Sequence, residues 1–241
     1  MEQDSNQELG IKSSRSSWKY IVGAVIVLGV VIIGGIYVKN YLERSDPKYY
    51  QKHYSLGVNY YNKALFDLAI AELNLAAKAR PNSPDPYYGL GLNYMKLKKY
   101  DDAVKNFEKA VKNGPERLDI KYSFAVAFQR MGRLEKALEV YHEMVKQAPD
   151  SYQVFSNIGV IQMQLGDSEK AIIALKHAIE LKPDYYPTYF NLAKVYEIQG
   201  NTELASKQFM LVIEKASKKK ETADVAQAAK IRLASLKTKK K

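Results

Sequence analysis

Apolar residues return with helical spacing along the chain from about residue 50 onward. Residues 84–117 show this in both halves: Tyr87 and Leu90 lie on one side of a first helix, and Val104 and Phe107 lie on one side of a second. Spacings of three and four residues place apolar side chains on a single helix face. The pattern therefore predicts successive amphipathic helices and an all-α fold.

The helices are predicted to come in pairs that repeat every 34 residues, because Pro81, Pro115, Pro149 and Pro183 follow one another at that interval. Proline ends a helix, since it lacks a backbone N–H. Small residues, which let two helices approach closely, recur with the same period. The eighth positions are Gly57, Gly91, Ala125, Gly159 and Ala193, and the twentieth are Ala69, Ala103, Ala137, Ala171 and Ala205. The repeating region, 50–219, thus divides into units 50–83, 84–117, 118–151, 152–185 and 186–219.

This fixed period, with its small, aromatic and proline positions, resembles the tetratricopeptide repeat (TPR) family. The eleventh position is aromatic in four units, but unit four has Gln162 there. Met144 enlarges a usually small position in unit three, and Ser217 replaces the expected proline in unit five. The resemblance implies a right-handed TPR α-solenoid of five helix-turn-helix units.

An apolar segment precedes the repeats. Residues 20–38 contain no charge, and a helix of this length is about 28 Å long, close to the roughly 30 Å hydrocarbon core of a bilayer. Trp18 and Tyr20 at one end, and Tyr37 and Tyr41 at the other, are typical of interfacial aromatic belts. We therefore expect a single N-terminal transmembrane helix.

A cleaved signal peptide is the competing interpretation of this segment. It would have a shorter apolar region and an A-x-A-like cleavage site, which the following Lys39, Asn40 and Tyr41 do not provide. Basic residues flank both ends, but a short basic tail favours the cytoplasm. This predicts a bacterial inner-membrane protein with periplasmic repeats, with the cytoplasmic side as the alternative.

The remaining segments are short. Residues 1–19 are polar and predict a flexible tail, and 39–49 form a charged linker. Residues 220–236 have a helical pattern and are expected to cap the last apolar face of the solenoid. Residues 237–241 form a basic tail.

The sequence contains no recognisable catalytic, metal or cofactor site. The absence of cysteine excludes disulfides, thiolate metal sites and cysteine nucleophiles. His53, His142 and His177 lie at unrelated positions of their units, without the spacing of a metal-binding motif. Glycine-rich phosphate loops are also absent. We therefore expect a protein that is not an enzyme and needs no cofactor.

The net charge of +11 raises the question of nucleic-acid binding. Much of the excess lies in the lysine clusters 218–220 and 237–241. No continuous basic track is expected on the repeats, so nucleic acid is not the expected partner. RNA or anionic-lipid binding through the basic tail is kept as a lesser alternative.

In TPR proteins the first helix of each unit lines a concave groove. The resemblance implies that the second, fifth, ninth, twelfth and thirteenth positions point into it. TPRs that clamp a C-terminal carboxylate have lysine and asparagine at the fifth and ninth positions, and no unit of this chain carries that pair. The expected partner-binding residues are Tyr54, Val58, Tyr61, Tyr88, Leu92, Met95, Tyr122, Val126, Arg130, Met163, Phe190 and Lys194.

Two interpretations of these residues remain open. A tyrosine-rich apolar groove is expected to receive an amphipathic helix or extended segment of a partner polypeptide. Alternatively, the rings only pack between neighbouring first helices. The sequence therefore predicts a membrane-anchored scaffold or adaptor within an assembly, secretion or chaperone-like complex. The alternative is a self-assembling coat in which each groove takes a segment of the next copy, giving a homo-oligomer.

Overall fold

The computed structural model describes residues 25–26, 28–39, 46–216 and 222–238. The predicted tail, 1–19, lies outside this part of the chain. So do residues 20–24 and 27 of the predicted transmembrane segment and most of the predicted linker.

From residue 46 onward the described chain is a succession of helices joined by short turns, so the all-α prediction is confirmed. Helices pair as first and second helix of each unit. The pairs are α1 (Pro47–Asn62) with α2 (Phe66–Ala79), α3 (Pro84–Lys96) with α4 (Tyr100–Asn113), α5 (Leu118–Arg130) with α6 (Leu134–Gln147), α7 (Tyr152–Gln164) with α8 (Ser168–Leu181), and α9 (Tyr186–Ile198) with α10 (Thr202–Ala216); α11 (Ala223–Thr238) follows.

The chain forms two compact units, residues 1–81 and residues 82–241. In the first, α1 packs along α2. In the second, every helix from α3 to α11 packs against the next one in sequence. This second unit therefore has the nearest-neighbour stacking of a solenoid.

In the pairs α1–α2, α3–α4 and α7–α8, a glycine on the first helix faces a large residue on the second. A Cβ atom added at Gly91 would lie 2.4 Å from Cε1 of Phe107, and one at Gly159 would lie 2.5 Å from Cγ of Leu175. The large residues occupy the twenty-fourth position of each unit and are at most 1% exposed: Leu73, Phe107, Tyr141, Leu175 and Phe209. In the second compact unit, Phe107 and Tyr141 belong to one core cluster and Leu175 and Phe209 to another.

The turn inside each pair contains one residue in the left-handed region. Units three to five use glycine there, at φ between 75° and 83°, but Ala64 has φ 57° and Lys98 has φ 58°. A residue with a Cβ atom is strained in this conformation. Between pairs, each repeated proline lies two residues beyond the end of a second helix.

The C-terminal helix α11 covers the end of the stack. Its Ala226, Ala229 and Leu236 are at most 4% exposed and share a core cluster with Val212 and Ala216 of α10. The apolar face that unit five would otherwise present is therefore buried by α11.

Residues 28–39 are helical, and their apolar side chains are extensively exposed; Val30, Ile33 and Tyr37, for example, are 65%, 64% and 78% exposed. Within the described residues, no helix has both the length and the apolar character needed to cross a membrane. The predicted span, 20–38, is only partly included in them.

Candidate functional site: the surface of the first helices

We use the name first-helix surface for those residues of the expected groove that lie in the second compact unit, on α3, α5, α7 and α9. The structure distributes the whole expected set over five helices, and those on α1 belong to the first compact unit. They are Tyr54, Val58 and Tyr61 on α1, Tyr88, Leu92 and Met95 on α3, Tyr122, Val126 and Arg130 on α5, Met163 on α7, and Phe190 and Lys194 on α9.

Side-chain hydrogen bonds connect successive first helices in the second compact unit, residues 82–241. The hydroxyl oxygen of Tyr88 lies 3.5 Å from Oγ of Ser123, and Nδ2 of Asn157 donates to the hydroxyl of Tyr122 at 3.0 Å. In both cases a tyrosine at the fifth position meets a polar residue at the sixth position of the next unit. These contacts fix one first helix relative to the next.

A hydrogen bond also connects two first helices in unit four, where the fifth position is not tyrosine. Unit four has Ser156 at the fifth position, and Oγ1 of Thr188 donates to its Oγ at 3.2 Å. Both residues are buried, at 5% and 0% exposure. A buried hydroxyl pair thus performs the same connection as the tyrosines.

The two tyrosine rings also pack against second helices. The Tyr88 ring lies 6.0 Å from that of Phe107, and the Tyr122 ring meets Tyr141 edge-on at 6.1 Å. Asn157 donates to the hydroxyl of Tyr141 as well, at 3.0 Å. Burial, with the nearby Tyr122, raises the pKa of Tyr141 above its ordinary value. Tyr88 and Tyr122 therefore have a packing role, while their half-buried rings keep one side accessible.

A charged cluster lies beside Tyr88 that the sequence analysis missed. The guanidinium of Arg117 donates to Asp85 at 2.6 Å and to both oxygens of Asp119 at 2.6 and 3.1 Å. It also lies 5.4 Å from the centre of the Tyr88 ring. The hydrogen bond from Arg117 lowers the pKa of Asp119. Two carboxylates at the second positions of neighbouring units are thus held by one cation.

The signal for this cluster was weak but present in the sequence. Arg117 is the last residue of its unit, and aspartate occupies the second position of both adjoining units. Asp85 and Asp119 were expected to face the groove because they occupy second positions. The location of Arg117 between them was not predicted.

Apolar residues continue the first-helix surface along the second compact unit. Leu92 and Met95 are half-buried against the core of units two to four, and Met163 against the core of units four and five. Phe190 packs edge-on against Phe209 at 5.5 Å. Val126 is half-buried. The surface therefore exposes parts of apolar side chains whose other parts are anchored in the core.

Polar residues lie in the C-terminal halves of two first helices, α5 and α9. Arg130 is exposed and borders a crevice of about 480 Å³ formed by residues 98–102 and 130–131. On α9, Lys194 is half-buried, and Glu197 pairs with Arg232 of α11 at 3.5 Å. The capping helix thus reaches the last first helix.

In the first compact unit, the α1 residues have aromatic neighbours. The Tyr54 ring stacks on Tyr50 at 5.8 Å, and the Tyr61 ring meets Phe66 edge-on at 6.0 Å. Val58 is 39% exposed. The aromatic residues of α1 therefore have packing contacts, as Tyr88 and Tyr122 do.

His53 and His177 take part in local contacts. Nδ1 of His53 lies 2.5 Å from a Glu72 carboxylate oxygen, and His177 pairs with Glu180 at 3.4 Å. Among residues 25–26, 28–39, 46–216 and 222–238, no group of three or more histidine, aspartate or glutamate residues is arranged to hold a metal ion.

Comparison with known proteins agrees with this architecture. Family models described as tetratricopeptide repeat match residues 88–152, 152–185 and 174–205. No curated protein sequence matches the chain.

Several solved structures have the same fold. MamA from Desulfovibrio magneticus RS-1 has 21% identity and a TM-score of 0.67, covering 71% of this chain and 97% of that one. YrrB, a TPR protein with an unusual peptide-binding site, has 20% identity and a TM-score of 0.58, covering 74% and 90%. A thermophilic TPR protein from Thermus thermophilus, TTC0263, has 25% identity and a TM-score of 0.58, covering 76% and 99%.

The stacked helix pairs, the small-against-large contacts and the family models all lead to one assignment. The chain contains repeats of the tetratricopeptide repeat family, matched directly from residue 88 to residue 205.

Proposed function

We propose that this protein is a membrane-anchored, non-enzymatic TPR adaptor that binds a segment of a partner polypeptide on its first-helix surface. The proposal rests on the part of this surface that α3 and α5 form, where packing and hydrogen bonds hold the side chains in place. Leu92, Met95 and Val126 offer apolar area, and the tyrosines beside them are held by hydrogen bonds to the next unit.

A surface that is already ordered loses little conformational entropy when a partner binds. The half-buried tyrosine rings supply large contact area with few rotatable bonds. TPR repeats form a family of protein-interaction scaffolds, and the peptide-binding site of YrrB supports the same role for this chain.

The charged cluster indicates the chemistry of the partner. Arg117 compensates only one of the two carboxylates of Asp85 and Asp119. The partner segment is therefore expected to combine an apolar face with at least one basic side chain that approaches Asp85 or Asp119.

Anchoring in a membrane is part of the same proposal. It is supported by the uncharged run 20–38 and by the exposure of apolar side chains such as Val31 and Ile36. A bilayer around this segment would cover those side chains. The anchor would hold the repeats near membrane-bound partners within an assembly, secretion or chaperone-like complex, on the periplasmic side of a bacterial inner membrane.

Site-specific photo-crosslinking in intact cells tests partner binding. A benzophenone amino acid at position 126 of the full chain is expected to form a crosslink to a polypeptide on irradiation. The same probe at Val111, on the second helix α4 and 37% exposed, is the matched control and is expected to form none. Equal products at both positions, or none at 126, would refute the proposed surface. A crosslink to a second copy would favour the self-assembling coat.

Extraction and proteolysis test the anchor. The full chain is expected to stay with membranes after an alkaline wash, whereas a variant lacking 20–38 is released. Protease added outside spheroplasts is expected to digest the repeats. Release of the full chain would contradict the anchor, and full protection of the repeats would contradict the periplasmic orientation.

A further inference from the structure

A cavity of about 270 Å³ opens between α6, α7 and α8, and it is lined by no residue of the first-helix surface. Its accessible wall is apolar and includes Phe155 and Ile158 of α7 and Ile173 of α8. Gln162 of α7 and Lys170 of α8 also line the cavity.

The cavity exists because unit four lacks an aromatic residue at its eleventh position. The preceding unit has Phe128 there, only 8% exposed. The Phe128 ring lies 4.5 Å from that of Phe124, at the seventh position, and Nζ of Lys136, at the nineteenth, lies 5.8 Å from its centre.

The equivalent residues of unit four are Gln162 at the eleventh position, Ile158 at the seventh and Lys170 at the nineteenth. All three line the cavity. The empty volume therefore corresponds to the space that a phenylalanine ring fills one unit earlier.

We propose that this cavity binds an aromatic side chain of another polypeptide. Its apolar wall suits a ring, and Phe155 already meets the His177 ring edge-on at 4.4 Å. Lys170 occupies the sequence position of Lys136, which contacts the Phe128 ring. Its ammonium group pairs with Asp167 at 2.7 Å, and its aliphatic chain contributes to the apolar wall of the cavity.

The mouth of the cavity favours a side chain over a free molecule. Ile173 borders the mouth and is 69% exposed. A small molecule inside the cavity would leave Ile173 in water. A ring attached to a peptide backbone would fill the cavity and cover Ile173 at the same time, burying more apolar area.

This site differs from the first-helix surface in the positions that form it. The seventh, eleventh, nineteenth and twenty-second positions of unit four face the cavity, whereas the fifth, ninth and twelfth positions were expected to face the groove. The cavity and the first-helix surface therefore provide independent binding sites, and either proposal can fail alone.

NMR of the purified full chain with labelled isoleucine methyl groups tests the proposal. The probe is N-acetyl-L-phenylalanine amide, compared with N-acetyl-L-leucine amide and with benzene as a free ring. The phenylalanine probe is expected to shift the methyl signals of Ile158 and Ile173 saturably. Gln162→Phe is expected to fill the cavity from inside and weaken binding by about tenfold or more. Gln164→Phe places the same ring at an exposed position of α7 and is expected to leave binding unchanged.

Four results would overturn the proposal: no saturable shift, equal binding of the leucine probe, equal binding by Gln162→Phe, or binding of benzene without the phenylalanine probe. If Gln162→Phe does not fold, Ile173→Asp serves instead, because an exposed residue tolerates this change. It is expected to weaken binding by about threefold, since it removes only the apolar contact at the mouth. Unchanged affinity would contradict the site.

Discussion

At the scale of single residues, a polar side chain between two units can control more than its own contacts. Asn157 is the clearest example, because its amide donates to Tyr122 on the neighbouring first helix and to Tyr141 in the core. Tyr141 is fully buried, and no water can replace a lost partner without entering the core. Asn157 therefore determines both the position of a surface ring and the satisfaction of a core hydroxyl.

Asn157→Ala is expected to lower the free energy of unfolding by about 1–3 kcal/mol, because it leaves the buried hydroxyl of Tyr141 without this partner. Denaturant unfolding of the full chain measures the change. Tyr122→Phe is the matched control, since it keeps the ring and one of the two hydrogen bonds. It is expected to cost about 0.5–1.5 kcal/mol. An equal loss in both variants would contradict the separate role of the Tyr141 contact.

The turn residues give a second prediction at this scale. Lys98 has φ 58°, whereas the same position in unit three is Gly132 with φ 77°. Lys98→Gly is expected to raise the free energy of unfolding by about 1 kcal/mol, and Gly132→Ala is expected to lower it by about the same amount. Thermal unfolding of both variants would show opposite shifts. Shifts of the same sign would mean that backbone strain does not control these turns.

At the scale of helices, much of the architecture follows from sequence positions alone. First helices begin at Pro84, Leu118, Tyr152 and Tyr186, which are the starts of the predicted units. α1 instead begins three residues before its predicted unit, at Pro47, where the side chain of Asp46 caps the helix by accepting from the backbone N–H of Lys48. A proline and a capping aspartate together outweighed the repeat boundary.

Contacts between helices were harder to predict from the sequence. The tyrosines Tyr88 and Tyr122 were found by counting positions, but their hydrogen bonds to the next unit depend on how closely the helices stack. Arg117 was missed because one of its partners, Asp85, is 32 residues away. The sequence shows that unit four has Gln162 where the other units have an aromatic residue. Only the packing of α6, α7 and α8 shows that this difference leaves a cavity. The period thus predicts which residues share a helix face, not what each touches.

The close approach of α3 and α4 gives a prediction for one pair. Gly91→Ala is expected to reduce stability by about 1–3 kcal/mol, because the new methyl group would overlap the Phe107 ring. Lys105→Ala, on the exposed side of α4, is the control and is expected to change stability by less than about 0.5 kcal/mol. Denaturant unfolding distinguishes the two. If Gly91→Ala is as stable as the control, these helices are not packed as closely as described.

At the scale of the whole molecule, the proposed binding surface depends on the stacking of the helices in residues 82–241. In residues 82–241, each helix is supported by its neighbours, and α11 covers the end of the stack. Because Tyr88 and Tyr122 support this packing, replacing them would confuse loss of binding with loss of structure. A half-buried apolar residue of the same surface, Val126, is the better position for a test.

The most direct test compares Val126→Glu with Val111→Glu in the full chain. Both variants are to be isolated from solubilised membranes, and the amount of the polypeptide crosslinked at position 126 that co-purifies with each is to be measured, together with their melting temperatures. We expect the amount of partner that co-purifies with Val126→Glu to fall at least about tenfold, because the charge would be desolvated in the interface. Val111→Glu is expected to retain the partner. Both variants are expected to melt within a few degrees of the unmodified chain. Equal retention by the two variants, or loss only together with unfolding of Val126→Glu, would contradict the first-helix surface as the binding site.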